Sequence, residues 1–243
     1  MTEMFEKRMN EGLEGLSLAL TEKQKEQFYQ YYELLIEWNK VMNLTAITEL
    51  DEVVTKHFVD SLLLIKVISD LDQKEYRCID VGTGAGFPGL PLKIAFPNLK
   101  ITLLDSLNKR VGFINTVIEQ LGLEEIHAVH GRAEDYGRDE KYREKYDLCV
   151  SRAVANMSTL SEYCIPFVEK GGFFVPYKSG KVEEEVKQAA SAVKKLGGEM
   201  GDVITHILPG TDVERTFIPV KKVAATAKKF PRKAGLPSKE PLK

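Results

Sequence analysis

From about residue 76, short runs of β-branched and apolar residues alternate with longer stretches that have helical spacing. The five runs are 77–81, 100–105, 126–130, 147–151 and 172–177, and the predicted helices are about 89–96, 107–121, 156–168 and 181–196. This alternation predicts an α/β fold, a parallel sheet with helices on both faces. Two more strands near 202–208 and 215–223, predicted as an antiparallel pair, would make seven. Ligands of such sheets bind beyond the carboxyl ends of the strands, so functional side chains are expected there.

The first 70 residues have the spacing of helices instead. Thr21 and Gln24 predict a capping box at the start of a helix, and a second apolar stripe runs from Val54 to Ile68. The stretch 38–48 between them is predicted to be a loop. Such helices need a surface to bury against. We therefore predict a helical extension over 1–72, a core over 73–223 and a tail over 224–243.

Charge is unevenly distributed along the chain. The sequence holds 34 basic and 36 acidic residues, yet residues 221–243 contain eight basic side chains and one acidic. A basic tail favours a polyanionic partner. No apolar run approaches the roughly 18 residues of a membrane span, and the first 20 residues lack the apolar core of a secretory signal. Three cysteines without a CxxC pair, and four histidines without ligand spacing, predict a cytoplasmic protein without disulfides or metal.

The segment CIDVGTGAGFPGLPL (78–92) is the most informative for function. Glycines at alternate positions after a strand let the backbone adopt positive φ and approach a ligand, and a helix start supplies free N–H groups. From Gly84 the segment fits GxGxxG, which is typical of dinucleotide sites. From Gly82 it fits GxGxG, with Asp80 two residues earlier. A carboxylate there would repel a pyrophosphate but suits the positive charges of S-adenosylmethionine.

Three further strand ends carry candidate site residues. Asp105 ends the second strand and can accept hydrogen bonds from ribose hydroxyls, which holds equally for NAD and S-adenosylmethionine; it can also cap the next helix. Ala133 and Glu134 follow the third strand and can flank an adenine ring or simply cap a short helix. Arg152 ends the fourth strand, where it can contact a phosphate or the cofactor carboxylate.

No general base is evident in the sequence. The place after the fourth strand reads SRAV (151–154), where enzymes that methylate exocyclic base nitrogens commonly carry an NPPY-like tetrapeptide. The cysteines are expected to be buried rather than nucleophilic. Guanine N7 carries a lone pair and no proton, so its methylation needs orientation and exclusion of water rather than a base.

The ordered set of motifs resembles the RsmG (GidB) family of bacterial 16S rRNA guanine-N7 methyltransferases. The motifs are WNKVMNLTAIT (38–48), KHFVDS (56–61), DVGTGAGFPGLPL (80–92), LLDSLNKR (103–110), GRAED (131–135), SRAVA (151–155) and KKFPRKAGLPSKEPL (228–242). The resemblance covers about residues 17–242. It implies a Rossmann-like class I methyltransferase fold that uses S-adenosylmethionine and methylates N7 of the guanine at position 527, in the 530 loop of 16S rRNA.

The resemblance also implies site residues and partners. The family's cofactor contacts fall here on Gly82, Phe87, Ala133, Glu134 and Arg152, to which the charge and loop arguments add Asp80, Gly84, Gly86 and Asp105. The candidate RNA contacts are Asn39, Asn43, Lys56 and His57 in the extension and Lys228, Lys229, Arg232 and Lys233 in the tail. The implied substrate is 16S rRNA, in the small subunit or an assembly intermediate, and a monomeric enzyme is expected.

Other functions remain open at this point. Another RNA or small-molecule methyltransferase would fit the glycine loop but leave the basic tail unused. Asp80 argues against an NAD-dependent oxidoreductase, and the intact loop argues against an RNA-binding protein with a vestigial site. Asn39 and Asn43 can equally tie loop backbone, and the tail can be merely solubilising. If the tail binds RNA, removing 228–243 is expected to weaken RNA binding and leave cofactor affinity unchanged.

Overall fold

The computed structural model describes residues 1–152, 155–180 and 182–243. Ala153 and Val154 of the SRAVA motif, and Lys181 at the start of a predicted helix, lie outside that part of the chain. The strands are β1 (Arg77–Val81), β2 (Lys100–Asp105), β3 (Ile126–His130), β4 (Tyr146–Arg152), β5 (Val168–Ser179), β6 (Gly198–Met200), β7 (Ile204–Ile207), β8 (Glu214–Phe217) and β9 (Val220–Lys222).

The nine strands of the described residues belong to one sheet, where seven were predicted, and seven of them follow one another in the order β3-β2-β1-β4-β5-β8-β7. The first five are parallel, while β8 and β7 are antiparallel. This confirms the predicted Rossmann-like class I fold. The predicted strand 215–223 is divided into β8 and β9, with Pro219 between them, because proline has no N–H to donate to a ladder. Strand β9 also pairs with β5 and with β6.

Helices cover both faces of the sheet. The helices that follow β1, β2, β4 and β5 match the four predicted helices. The helices are α1 (Glu3–Leu16), α2 (Glu22–Met42), α3 (Leu50–Val53), α4 (Asp60–Leu62), α5 (Gly89–Ala95), α6 (Asn108–Gln120), α7 (Ala133–Tyr136), α8 (Met157–Cys164), α9 (Glu183–Lys195) and α10 (Leu236–Lys239). Among the described residues, no helix has the length and hydropathy needed to cross a membrane.

The amino-terminal helices pack against one face of the sheet. The capping box of Thr21 and Gln24 at the start of α2 is confirmed. The loop predicted over 38–48 begins only at residue 43, because α2 continues to Met42 and Trp38 packs its ring against Phe113 at 5.7 Å between centroids. The second apolar stripe begins directly after α3 and forms a π-helical turn at Val54–Val59, then α4 and a 3-10 turn.

The chain after β9 returns across the other face of the sheet. Phe230 is buried in the hydrophobic cluster of that face, and Leu242 packs against the same cluster. The guanidinium of Arg143 donates to the carbonyls of Thr226 and Phe230. This segment is therefore packed against the core.

Candidate functional site

The glycine loop joins β1 to α5 at the carboxyl edge of the sheet. Gly82, Gly84 and Gly86 have φ values of +73°, +64° and +99°, which side chains other than glycine rarely adopt. No atom lies within 4 Å of the position that a Cβ would take at Gly84. At Gly86 a Cβ would collide with Leu90 and the Tyr31 hydroxyl. Gly84 is therefore open toward a ligand, whereas Gly86 is needed for packing.

Asp80 lies beneath the loop and is fully buried. Its Oδ2 accepts hydrogen bonds from Thr83 Oγ1 at 2.6 Å and from Gly89 N at 2.9 Å, which joins the loop to the start of α5. Its Oδ1 has no partner among the described residues. Burial raises the pKa of the Asp80 carboxyl to about 6, against the lowering effect of these two hydrogen bonds. Direct cofactor contact by Asp80 stays a prediction.

Asp105 lies at the end of β2, next to the loop. Its Oδ2 accepts from Gly84 N and its Oδ1 from Leu107 N, both at 2.9 Å. Arg110 is 3.6 Å from the same carboxylate. Each oxygen keeps a second lone pair, so Asp105 can hold the loop and accept from a ligand hydroxyl at once.

Two cavities lie on either side of Asp105. The larger, of about 620 Å³, is lined by Phe87, Arg152 and the extension. The smaller, of about 250 Å³, is lined by Ala133, Glu134 and Tyr163. Both are also lined by Gly82, Asp105 and Ser106. Together they can accept an elongated ligand across the glycine loop.

An ion-pair cluster forms one wall of the larger cavity. The carboxylate of Asp60, in α4, is 1% exposed and accepts from Arg152 Nη1 and Arg215 Nε, each at 2.6 Å. The arginine side chains are 10% and 15% exposed. Two guanidinium groups on one carboxylate leave a net positive charge facing the cavity, which suits an anionic group.

His57 forms a second part of this wall. Its ring stacks on Phe87 with 4.5 Å between centroids, and its Nε2 lies 2.8 Å from Thr45 Oγ1. Burial, with the nearby charge of Arg152, lowers the pKa of the His57 imidazole to about 4. The ring is therefore neutral at pH 7. The Arg152 guanidinium also lies over the Phe87 ring, 5.1 Å from its centroid.

The other candidate RNA contacts of the extension have different surroundings. The amide of Asn39 donates to and accepts from the backbone of Thr45. Asn43 ends α2 in a left-handed conformation. Lys56 lines the larger cavity and pairs with Glu52. Asn39 thus ties the loop, which is the alternative that the sequence left open.

The four candidate cations of the tail divide into two kinds. Lys228, Lys229 and Lys233 are exposed. Arg232 instead donates to both carboxylate oxygens of Glu162, which is fully buried. Arg232 therefore fixes the tail to α8.

Sequence reasoning missed Asp60 and Arg215 as site residues. Asp60 lies in the KHFVDS motif, so a polar residue within an apolar stripe was an available signal. Arg215 lies in β8 and carried no signal in the sequence, because only the antiparallel pairing of β8 with β5 brings it to this edge.

The chain is similar to known proteins along most of its length. The model of a family described as rRNA small subunit methyltransferase G, or GidB, matches residues 24–207. A protein named ribosomal RNA small subunit methyltransferase G from Lachnoclostridium phytofermentans is 55% identical, covering 96% of this chain and 95% of that protein. One of the same name from Acetivibrio thermocellus is 49% identical over 97% of this chain and 96% of that protein.

Solved structures share the fold at low identity. TYW2 from M. jannaschii, determined in complex with AdoMet, has a TM-score of 0.52 and 12% identity, covering 68% of this chain and 77% of that one. A putative sarcosine dimethylglycine methyltransferase from Galdieria sulphuraria has a TM-score of 0.53 and 12% identity, covering 72% and 88%. These similarities show the fold alone.

Proposed function

Because this chain belongs to the rRNA small subunit methyltransferase G (GidB) family, we propose that it methylates N7 of guanine 527 in the 530 loop of 16S rRNA. The family membership makes it an S-adenosylmethionine-dependent rRNA methyltransferase. The cofactor supplies an electrophilic methyl group on a sulfonium sulfur. The proposed substrate is the small ribosomal subunit or its assembly intermediate, acted on in the cytoplasm by a monomer.

The residues around the glycine loop fit this cofactor. The joined cavities provide an elongated site, and Gly84 is open to a close approach. Asp105 lies where the cavities meet and can accept from ribose hydroxyls. The residues that would hold the cofactor are Gly82, Gly84, Phe87, Asp105, Ala133, Glu134 and Arg152.

The larger cavity offers no strong proton acceptor among its described residues, and this observation carries the choice of N7. Asp60 is engaged by two arginines, and Asp105 is engaged by two backbone amides and would be engaged by the ribose hydroxyls of the bound cofactor. His57 has a pKa of about 4, so it accepts protons poorly at pH 7. A nitrogen that bears a proton needs a base, whereas guanine N7 has a free lone pair. The chain would act by orienting the base and excluding water.

Positive charge around the same cavity supports an RNA substrate. Arg110, Arg152 and Arg215 line it, and the side chains of Lys228, Lys229 and Lys233 are exposed on the tail. Phosphate contacts of this kind position RNA without reading its sequence.

The test is methyl transfer from labelled S-adenosylmethionine to small subunits isolated from a strain that lacks the modification. The rRNA is digested to nucleosides, and the labelled position is mapped by mass spectrometry of fragments. We expect label in 7-methylguanosine at position 527. Subunits that already carry the modification are the matched control and should accept none.

Two results would contradict the proposal in different ways. Label in another nucleoside would keep the rRNA methyltransferase but overturn the N7 assignment. Label in 7-methylguanosine at another position would overturn the target. Naked 16S rRNA and assembly intermediates, assayed in parallel, determine which form of the substrate reacts fastest.

A further inference from the structure

The last 18 residues, 226–243, form a segment that we call the C-terminal strap. Its central anchor is Arg232, which donates through Nε and Nη2 to the carboxylate of Glu162 at 2.7–3.1 Å. The backbone N of Arg232 donates to the same carboxylate at 2.7 Å. A buried carboxylate that receives a bidentate guanidinium and an amide is held in one geometry. The strap therefore has a defined path over α8.

Two more arginines hold the beginning of the strap. Arg143 donates to Thr226 O at 2.6 Å and to Phe230 O at 2.8 Å. Arg138 donates through Nε to Pro231 O at 2.7 Å. Both arginines lie between β4 and α7, the helix that begins with Ala133 and Glu134. The strap is thus tied to the segment that follows these two candidate cofactor residues.

Beyond Arg232 the strap reaches the smaller cavity itself. Gly235 N donates to Glu134 Oε1 at 2.7 Å, and Glu134 is 4% exposed. Thr159 Oγ1 donates to Pro237 O at 3.0 Å. Ser238 then lines the cavity together with Glu134 and Tyr163. Part of the cavity wall is thus built from residues about 100 positions away from Glu134.

We propose that the C-terminal strap is a wall of the cofactor site, in which Gly235 positions the Glu134 carboxylate and Ser238 faces the nucleoside end of the ligand. Docking of the strap and cofactor binding then stabilise each other, because a coupling between two equilibria is reciprocal. This rests on the proposed function only in taking S-adenosylmethionine as the ligand. It replaces the expectation that removing the tail leaves cofactor affinity unchanged.

The first experiment measures cofactor affinity in a shortened chain. Deleting residues 234–243 removes Gly235 and Ser238 but keeps Phe230 and Arg232. We expect the Kd for S-adenosylmethionine, measured by calorimetry, to rise about ten-fold, or about 1.4 kcal/mol. The matched control deletes only residues 242–243. This loses the packing of Leu242 and the contacts of the Lys243 carbonyl with Ser191 and Lys195 but keeps the cavity wall, so its Kd should stay within two-fold.

The second experiment uses the intact chain, so that it does not depend on the folding of a variant. Trypsin cleaves the strap after Lys233 and Lys239 when it opens locally. Saturating S-adenosylmethionine should slow these cuts by about the same ten-fold factor as the rise in Kd. Cleavage after the exposed Lys7 in α1, and cleavage with NAD in place of the cofactor, should not change.

The outcomes separate this inference from the proposed function. A folded shortened chain with an unchanged Kd, or strap cleavage that ignores the cofactor, overturns the strap's role while leaving the methyltransferase intact. If the shortened chain does not fold, the protection experiment decides alone. An intact chain that fails to bind S-adenosylmethionine contradicts the proposed function itself.

Discussion

At the scale of single residues, the site depends on carboxylates that each have more than one partner. The Asp60 carboxylate pairs with both Arg152 and Arg215. Asp105 accepts from the backbone amides of Gly84 and Leu107. Asp80 accepts from Thr83 beneath the glycine loop. A buried carboxylate with several donors fixes what it touches, and losing it leaves those donors unpaired. These acids shape the cavity before any ligand binds.

Replacing Asp105 tests the ligand side of this arrangement. Asp105→Ala should weaken S-adenosylmethionine binding about ten-fold or more, because it removes a ribose acceptor and frees the Gly84 and Leu107 amides. Asp105→Asn keeps one acceptor and should lose less. Calorimetry measures both. Asp202→Ala, at an exposed position, is the control, and an Asp105→Ala Kd equal to that of the parent would refute the role.

His57 should make stability depend on pH. Its folded pKa of about 4 lies below the ordinary value of 6.5, so the neutral ring contributes stability above pH 6.5 that is lost as the pH falls toward 4. Between pH 7 and pH 4.5 the loss is about 2 kcal/mol. Chemical unfolding measures the free energy of unfolding of wild type and of His57→Gln. The difference between the two proteins should shrink by that amount as the pH falls from 7 to 4.5. A difference that does not depend on pH would contradict the lowered pKa of His57. The raised pKa of Asp80 changes stability in the opposite direction, and it cancels because both proteins contain Asp80.

At the scale of elements, the glycine loop and α5 are held by the extension. Tyr31 in α2 donates its hydroxyl to Ala85 O at 2.5 Å. Gln24, which completes the capping box of α2, also donates to the carbonyls of Ile94 and Ala95 at the end of α5. Helix α2 therefore contacts both ends of the loop–helix unit, and the extension is part of the site's support.

A matched pair of tyrosines tests this support. Tyr31→Phe leaves a buried carbonyl unpaired and should lower the free energy of unfolding by about 1–2 kcal/mol. Tyr32→Phe removes only a long 3.4 Å contact with Thr48 O and should cost less than about 0.5 kcal/mol. Denaturant titration measures both, and equal effects would show that the Ala85 contact adds nothing.

At the scale of the whole molecule, the sheet is covered by the two ends of the chain. Phe28 and Leu35 of the extension belong to the hydrophobic cluster on one face, and Phe230 of the strap belongs to the cluster on the other. The extension and the strap both reach the carboxyl edge of the sheet, where the cavities open. The terminal segments therefore bring side chains to the site that the core alone does not supply.

The exposed lysines of the strap predict how RNA binding responds to salt. Replacing Lys228, Lys229 and Lys233 together by Gln should flatten the slope of log affinity against log salt by about 2 to 3, if each contacts one phosphate. Filter binding to 16S rRNA measures the slope. Lys74, Lys141 and Lys145, which are also exposed, give a matched triple variant whose slope should equal that of the parent, and equal slopes in both variants would remove the strap from the RNA interface.

The parts that local sequence could predict were those with a local cause. Strand and helix order followed from periodicity, and the capping box from two residues three apart. The errors were local as well. The loop predicted over 38–48 starts only after Met42, because residues 38–42 form the end of α2, where Trp38 packs on α6. The last predicted strand is interrupted at Pro219. A short window of sequence shows neither the helix on which Trp38 packs nor the strands that pair on either side of Pro219.

By itself, the sequence determined the alternating fold, the glycine loop and the acids at the strand ends, because steric limits and hydrophobic periodicity act between neighbours along the chain. Only the tertiary structure decided the ion pairs of Asp60, which lies 92 residues from Arg152 and 155 from Arg215. The same holds for Gly235 against Glu134, 101 residues apart. Such pairs form because the sheet order brings distant segments to one edge, and with 34 basic side chains in the chain no local pattern selects which of them will meet a given carboxylate.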